Sequence, residues 1–539
     1  MKKQRLLLFV FILLASFSLN AQRYLTAQFT SVTKTTAIYG DNFTVLSLST
    51  ALAHSARASA FPVPPMAADI YQAAGDTVSK RPLMIFVPTG NFLPKSARSS
   101  PTGDRVDSVA VEMCTRFAKM GYVTASIDYR LGWNPFASTA TDRTFQLINA
   151  AYRGIQDLRN AVRYFKVNAA ALKIDTSRIM VIGDGTGGYI TLGAATFNDY
   201  AKVYTTARPQ GKFTAAINGM VVPMIIEQYN GNINGTSLGV WPGIPGIPIP
   251  AGDTLCVSNY ATVSSKVQLA VNLGGALGDY TWLDATSTPI VSIACPHDQN
   301  APYRDSTLLV PIGNGQALPV VQVQGSHWVA LRADSLGVNN SFKRIITSYD
   351  PYKSLVAPRS AGGYYGTDKY SATYATGLLP LIGRSKDDSA PWQWWNTDTT
   401  VQKFGDNAAA LAGNPGMSAT KARAYIDSIM TFISPRACMA LNLPCAIQVT
   451  GTEDLLSAAT TKLSIAPNPA QNYITFESEV YNPMQSIEIY DLSGRLVKQA
   501  KVNTNQFNMM RGSLPTGMYI AKVKFEGGIL SKKIIFEDK

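Results

Sequence analysis

Residues 181–188 read VIGDGTGG, and the fold prediction depends on which structural role these glycines have. An apolar strand pattern, SRIMVIG (177–183), precedes them, and a helix is expected to begin after them. In one frame Gly183, Gly185 and Gly188 form G-x-G-x-x-G, a dinucleotide-binding loop. In the other frame the stretch is the sharp strand-to-helix turn that displays a hydrolase nucleophile, with Gly185 at the nucleophile position.

The sequence lacks one of the elements that a dinucleotide-binding site requires. It requires a second strand that ends in an acidic residue about twenty residues further on, whereas YITLGAATFNDYAKVY (189–204) has the character of helix and loop. The turn interpretation fits better, because the positions two before and two after a nucleophile must be small and are Gly183 and Gly187. We therefore predict a nucleophile elbow whose apex, Gly185, has no side chain.

Strand and helix patterns alternate around this turn, which predicts an α/β domain with a mostly parallel sheet and helices on both faces. The predicted strands include RPLMIFVP (81–88), VTASIDYR (123–130), TAAINGMVV (214–222) and TPIVSIAC (288–295). The predicted helices are SVAVEMCTRFAKMGY (108–122), AYRGIQDLRNAVRYFKVNAAAL (151–172) and SATKARAYIDSIMTFISP (418–435). Residues 228–258 are rich in Gly, Pro and Asn and are predicted to form a long surface loop or lid.

These segments together resemble the α/β-hydrolase superfamily, in particular its carboxylesterase/lipase branch. The similar segments, in the family's order, are MAADIYQAAGDTVSKRPLMIFVPTGNF (66–92), ASIDYRLGWNP (125–135), the helix, strand and turn of 155–193, and PIVSIACPHDQNAPY (289–303). They match the strand before the oxyanion loop, the DYRL segment, the elbow and the turn that carries the acid. The resemblance implies an α/β-hydrolase-like domain over residues 65–447, with 228–258 as an insertion.

The resemblance also assigns site positions. Asp298 stands at the acid position of the triad, and Gly185 at a vacant nucleophile position. Gly90, Asn91 and Thr186 stand where backbone N–H groups would bind an oxyanion. The family's catalytic histidine follows the last strand, and the apolar run FKRIITSYDPYK (342–353), predicted as that strand and loop, contains no histidine.

Only three histidines occur in the sequence. His327 is a candidate base, with the hydroxyl of Thr186 or Ser326 as a relocated nucleophile, although a capping or surface role suits it better. His297 is predicted to point away from the adjacent acid, and His54 lies in the N-terminal lead. No residues have metal-ligand spacing, so neither a metal nor a cofactor is expected.

The C-terminal 77 residues change character to short alternating strands separated by N-P, S-G, T-G and G-G turns, which predicts a small all-β, Ig-like sandwich. They resemble the type A C-terminal sorting domain of the Bacteroidetes type IX secretion system. The resemblance rests on PNP (467–469), YDLSGRLV (490–497), LPTGMYIAKV (514–523) and SKKIIF (531–536). It implies that residues 463–539 address the protein to that machinery, for secretion or attachment to the outer cell surface. An accessory β-sandwich is the alternative.

The N-terminus predicts export. MKKQR and the apolar LLLFVFILLASFSL form a signal peptide over residues 1–21. Residues 22–64 are predicted as a β lead-in, and 448–462 as a linker. No later apolar run has membrane-spanning length, and the net charge of +13 forms no basic cluster interleaved with aromatics, which argues against nucleic acid. Export permits a disulfide between Cys438 and Cys445 without establishing it.

Three hypotheses for function remain open. The first is an exported α/β-hydrolase-fold protein that lacks the serine triad and binds a small ester or another small molecule, or performs unidentified chemistry. The second is an active carboxylesterase with relocated catalytic residues. The third is a surface adhesin or scaffold, which would expose an aromatic patch around Trp392, Trp394 and Trp395.

Overall fold

The computed structural model describes most of the chain, which divides into two compact units, Met1–Ala446 and Ile447–Lys539. The described residues are 22–42, 65–93, 100–217, 219–240, 242, 251–252, 254–298, 300–313, 316–346, 348–352, 375–381, 388–398, 407–446, 463–479, 482–525 and 528–538. The predicted signal peptide and linker lie outside the described residues, as does 43–64 of the predicted lead-in.

The described part of the first unit contains fourteen strands and eight α-helices. The strands are β1 (Val32–Gly40), β2 (Met66–Ala73), β3 (Arg81–Val87), β4 (Val123–Ile127), β5 (Ile174–Asp184), β6 (Thr214–Ile217), β7 (Met220–Pro223), β8 (Gly239–Val240), β9 (Thr254–Cys256), β10 (Leu269–Leu273), β11 (Ile290–Ala294), β12 (Asp305–Gly313), β13 (Gln316–Gln324) and β14 (Leu378–Pro380). The helices are α1 (Ser108–Lys119), α2 (Ala140–Val167), α3 (Ala169–Leu172), α4 (Thr186–Thr196), α5 (Glu227–Asn230), α6 (Ser326–Ser335), α7 (Asn407–Ala412) and α8 (Ala419–Ala440). Short 3-10 helices lie at Tyr200–Val203, Tyr280–Trp282 and Asn340–Arg344.

Eight of these strands form the main sheet, in the order β1-β2-β4-β3-β5-β10-β11-β14. The pairs β1–β2 and β2–β4 are antiparallel, and every pair from β4–β3 to β11–β14 is parallel. All residues of β3, β4, β10 and β11 are buried, as expected for parallel strands covered by helices. Helix α1 packs on β2, β3 and β4, and α4 packs on β3, β5 and β10. The prediction of a mostly parallel α/β sheet is confirmed.

One predicted strand of this sheet is wrong. The run 214–222 forms a separate antiparallel hairpin, β6–β7, in which Thr214 pairs with Pro223. The reason is local: the run contains an Asn-Gly pair at 218–219, a strong two-residue hairpin signal, and Gly219 has a φ of 80°. The strand beside β5 is instead β10, a five-residue segment that the sequence patterns did not single out.

The last strand is also misplaced by the sequence prediction. Within the predicted strand and loop of 342–353, residues up to 344 belong to the 3-10 helix Asn340–Arg344. The strand at the edge of the sheet is β14, which pairs with β11. Because β14 has three residues, it carries no periodicity that could identify it.

The Gly-rich segment 228–258, predicted as a long loop or lid, contains regular structure among its described residues. Its described part contains most of α5 and the two-stranded ladder β8–β9. Three buried side chains of α2 donate hydrogen bonds to backbone carbonyl oxygens of residues 230–235. Gln156 donates to Asn230 and Asn232, and Arg159 donates to Ile233. Arg163 donates to Asn234 and Gly235. Residues 230–235 are therefore clamped to α2 and do not form a free lid.

The second unit is a small all-β structure. Its strands are β15 (Leu463–Ala466), β16 (Tyr473–Ser478), β17 (Met484–Tyr490), β18 (Leu496–Thr504), β19 (Gln506–Met510), β20 (Gly517–Phe525) and β21 (Gly528–Phe536). They form a three-stranded sheet, β15-β16-β19, and a four-stranded sheet, β18-β17-β20-β21. Inward residues such as Ile474, Phe476, Ile487 and Val523 build a core of their own, so the predicted sandwich is confirmed.

Cys438 and Cys445 form a disulfide at the end of α8, which resolves the pairing that the sequence left open. Cys114, Cys256 and Cys295 are free and buried. Across the described residues, every helix is too short or too polar to cross a membrane.

The clamp on residues 230–235 predicts a large loss of stability in Arg159→Met. Arg159 is buried and also donates to the carbonyl oxygens of Ala194 and Phe197. Methionine leaves several buried acceptors unpaired, at about 1–3 kcal/mol each. Urea denaturation should therefore show a loss of at least about 3 kcal/mol.

Arg423→Met is the matched control, because that side chain is 51% exposed and its ion pair with Glu112 lies at the surface. Its effect should stay below about 1 kcal/mol. Equal effects of the two substitutions would contradict the clamp.

Candidate functional site

The predicted elbow is a tight turn that lies in close contact with the neighbouring strands of the sheet. β5 ends at Asp184, Gly185 has φ 53° and ψ −115°, and α4 begins at Thr186. A Cβ on Gly183 would lie 2.0 Å from the carbonyl oxygen of Gly187, and a Cβ on Gly187 would lie 2.0 Å from that of Val87. The small residues are therefore required by backbone contact, the reason that the sequence argument gave for this frame.

Thr89 closes the apex of the turn. A Cβ on Gly185 would lie 2.2 Å from Oγ1 of Thr89 and 2.9 Å from its Cβ. The N–H of Thr186 donates to the same Oγ1 over 3.4 Å. The Tyr129 hydroxyl donates to the carbonyl oxygen of Thr89 (3.0 Å) and lies 3.2 Å from Oγ1 of Thr186. A hydroxyl group therefore lies at the apex of the turn, but it belongs to Thr89, in the loop after β3.

The loop after β3 has an unusual backbone. Gly90, Asn91 and Phe92 have φ values of 131°, 56° and 55°. Positive φ at residues other than glycine costs about 1–3 kcal/mol each and persists only where neighbours enforce it. Here the Trp133 indole donates to the carbonyl oxygen of Asn91 (2.8 Å), and the N–H of Gly132 donates to that of Phe92 (2.7 Å). The predicted oxyanion loop is therefore held in one conformation.

Asp184, the last residue of β5, is a buried carboxylate beside the apex. Its Oδ1 accepts from the indole N–H of Trp392 (2.8 Å) and its Oδ2 from the amide of Gln393 (2.5 Å). Burial raises the pKa of Asp184 to about 6, and these two hydrogen bonds offset part of that rise. Both donors follow β14, the strand after which the resemblance places the catalytic histidine.

Asp298 lies in the turn after β11 and is partly exposed. Its Oδ1 accepts from the backbone N–H groups of Asn300 (2.7 Å) and Ala301 (3.2 Å), and the Ser389 hydroxyl also bonds to it. Enclosure by the protein raises the pKa of Asp298 to about 7, and the nearby charge of Asp184 adds to the rise. The acid candidate is therefore partnered by a hydroxyl that follows β14.

Asp298 and Trp392 both lie beside Gly274. A Cβ on Gly274 would lie 3.4 Å from Oδ2 of Asp298 and 3.2 Å from the ring of Trp392. Trp392 is completely buried, while Trp394 and Trp395 are partly exposed. The ends of β5, β11 and β14 thus come together in one polar cluster with an aromatic centre.

His327 is the second residue of α6 and is buried. Its ring packs against Tyr303 and Trp328, with centroids 5.5 and 5.4 Å away, and its Nδ1 is buried without a hydrogen-bond partner. Burial and the charge of Arg304 lower the pKa of His327 to about 4, so it is neutral at physiological pH. Ser326 accepts from Nδ2 of Asn272 over 3.1 Å. These described contacts bring neither residue to Gly185 or Asp298.

Of the other two histidines, His297 lies in the described part of the chain. His297 precedes Asp298 in the same turn and is partly exposed, and His54 lies outside the described residues. Within the described ranges, no group of three or more His, Cys, Asp or Glu residues could hold a metal ion.

Sequence reasoning assigned no role to three side chains of the cluster, Thr89, Ser389 and Gln393, and it named a fourth, Trp392, only as part of an aromatic patch. The last three follow β14, whose position was predicted wrongly. The run PWQWW (391–395) was the available signal. Thr89 sits inside the quoted oxyanion loop, where only backbone groups were considered.

Two family profiles match the chain. The BD-FAE profile matches residues 68–311, and the profile "Secretion system C-terminal sorting domain" matches residues 464–537. No curated protein sequence matches.

Similar solved structures include two of an esterase from the Planctomycetes species Thermogutta terrifontis. Esterase 2 phosphorylated by paraoxon is 16% identical, with a TM-score of 0.27 over 50% of this chain and 73% of that one. The propionate-bound form is 14% identical, with a TM-score of 0.29 over 68% of this chain and 90% of that one. A bifunctional GH43-CE protein of Bacteroides eggerthii is 16% identical, with a TM-score of 0.25 over 44% of this chain and 29% of that one.

The eight-stranded sheet, the elbow turn and the two profile matches agree on the same architecture. The chain carries an esterase-like α/β-hydrolase domain of the BD-FAE family, followed by a C-terminal sorting domain of the type IX secretion system.

Proposed function

We propose that this exported protein uses its esterase-like domain to bind a small ester or another small molecule without serine-triad hydrolysis. The observation that carries the proposal is Gly185 at the apex of the turn, with φ 53° and the Thr89 side chain in the space beside it. Without a side chain at this position, residue 185 itself presents no hydroxyl to a bound carbonyl carbon. Losing the nucleophile removes the covalent route.

The base position supports the same proposal. In the family the base follows the last strand and is hydrogen-bonded to the acid. Ser389 follows β14 and bonds to Asp298, so we assign Ser389 to the place of the catalytic histidine. A hydroxyl cannot act as a general base near neutral pH. The raised pKa of Asp298 also fits an acid without a cationic partner.

The alternative of a relocated active site has less support. It needs a hydroxyl and an imidazole in hydrogen-bond contact near the apex. Among the described contacts, the Thr186 hydroxyl pairs with Tyr129, and Ser326 pairs with Asn272. The adhesin alternative depended on exposed aromatic rings, and Trp392 is completely buried.

The test of catalysis uses the purified protein with p-nitrophenyl acetate and butyrate. We expect no saturable turnover. Thr89→Val, Thr186→Val, His327→Ala and Asp298→Asn should leave the slow background unchanged, because none of these residues belongs to a working triad. Saturable turnover that one of these substitutions abolishes would identify a relocated active site and end the proposal.

Asp298→Asn should stabilise the protein at alkaline pH. The native pKa of about 7 exceeds the ordinary value of 3.8, so between these values the native state binds more protons than the unfolded chain. The stabilisation is therefore complete below the ordinary value and is lost as the pH rises through the native pKa. The asparagine variant should melt at nearly the wild-type temperature at about pH 4, and several degrees higher at about pH 8.

Asp427→Asn is the control for that series, because the Asp427 side chain is 67% exposed. Its melting temperature should follow the wild type at each pH. If Asp298→Asn gained as much at about pH 4 as at about pH 8, ionisation of Asp298 would not be the cause.

Export should depend on both ends of the chain. Deletion of residues 463–539 removes the sorting domain, so we expect the protein to stop in the periplasm. Deletion of residues 1–21 should leave it in the cytoplasm. Immunoblots of cell fractions measure both outcomes, and surface or medium localisation of the first variant would contradict the assigned route.

A further inference from the structure

We propose that Thr89 is an autoinhibitory occupant of the apex: its side chain fills the place of a side chain at position 185 and takes the hydrogen bond of the Thr186 amide. The inference rests on the proposed function, since it treats Gly185 as the nucleophile position. It adds that the apex is filled from within and is closed to a ligand oxygen until the Thr89 side chain moves.

The steric argument is direct. A Cβ at position 185 would lie 2.2 Å from Oγ1 of Thr89, and side-chain Cβ atoms essentially never approach another heavy atom closer than 3.0 Å. The backbone offers little relief, because the Tyr129 hydroxyl holds the carbonyl oxygen of Thr89. On the other side, Gly187 packs against the carbonyl oxygens of Val87 and Pro88. Rotation of the Thr89 side chain relieves the contact with Oγ1 but leaves the Thr89 Cβ 2.9 Å from the added Cβ.

The weak hydrogen bond between Thr186 and Thr89 explains how a ligand could displace the Thr89 side chain. The N–H of Thr186, at the start of α4, is the donor that would bind a carbonyl oxygen in an elbow of this kind. It now donates to Oγ1 of Thr89 over 3.4 Å. That distance is long for an N–H···O hydrogen bond, so the interaction is weak. A ligand oxygen could replace the Thr89 hydroxyl at small cost.

The experiment measures the coupling between positions 185 and 89. Gly185→Ser is made in the wild-type, Thr89→Ala and Thr89→Gly backgrounds. Gly75→Ser is the matched control, because Gly75 has a φ of 80° and nothing within 4 Å of an added Cβ. The control reports the cost of a serine at positive φ without overlap, and the part of the difference between the two serine variants that depends on the residue at position 89 reports the overlap.

We expect Gly185→Ser to melt about 3–6 °C below Gly75→Ser in the wild-type background. The difference should shrink in the Thr89→Ala background, which removes Oγ1 but leaves a Cβ 2.9 Å away. It should be smallest in the Thr89→Gly background, where the side chain at position 89 is removed. An equal melting temperature of the two serine variants in the wild type would overturn the inference, as would a difference that Thr89→Gly leaves unchanged.

If Gly185→Ser is insoluble in the wild-type background, recovery of soluble protein in the Thr89→Gly background supports the inference. Failure to recover, while Thr89→Gly alone folds, refutes it. These outcomes are independent of catalysis. Wild-type ester turnover through a relocated residue would refute the proposed function and leave the measured coupling between the two positions intact.

Discussion

The close passage of residues 183–188 between β3 and β10 is the constraint on which the site depends. Gly183, Gly187 and Gly188 have neighbours within 2.0–2.2 Å of any added Cβ, among them the carbonyl oxygen of Val87 and the side chain of Asn272. The turn therefore has one conformation available, and its apex points to a fixed place. The loop after β3 and the cluster after β14 are arranged around that place.

Four segments supply the site, and each follows a strand of the parallel part of the sheet. They follow β3, β5, β11 and β14, whose carboxyl ends lie at one edge of the sheet, where α/β folds bind ligands. At this edge the Ser389 hydroxyl bonds to Asp298, and the N–H of Thr186 donates to Oγ1 of Thr89.

The parts of this structure that the sequence predicted have a local cause. The glycine spacing at 183–188 predicted a tight turn, and backbone contact excludes larger residues at two of its positions, Gly183 and Gly187. Long apolar runs revealed β3 and β11, and turn dipeptides revealed the C-terminal sandwich.

The parts that were missed depend on contacts distant in sequence. β14 has three residues, too few to show a period. Trp392 reaches Asp184 across 208 positions, and Thr89 reaches Thr186 across 97. No local pattern encodes such pairs. The hairpin β6–β7 differs, since its Asn-Gly signal was present in the sequence and was outweighed by the apolar residues around it.

The disulfide between Cys438 and Cys445 has a mechanical consequence. The chain leaves the hydrolase-like unit just after Cys445, on its way to the domain that the secretion machinery engages. Tension applied through that domain reaches Cys445 first and passes through the covalent bridge to Cys438, inside the buried end of α8. Residues 438–445 therefore cannot unfold one after another from the C-terminal end of the unit. The load falls on a helix anchored by buried side chains, including Arg436, which pairs with Asp350.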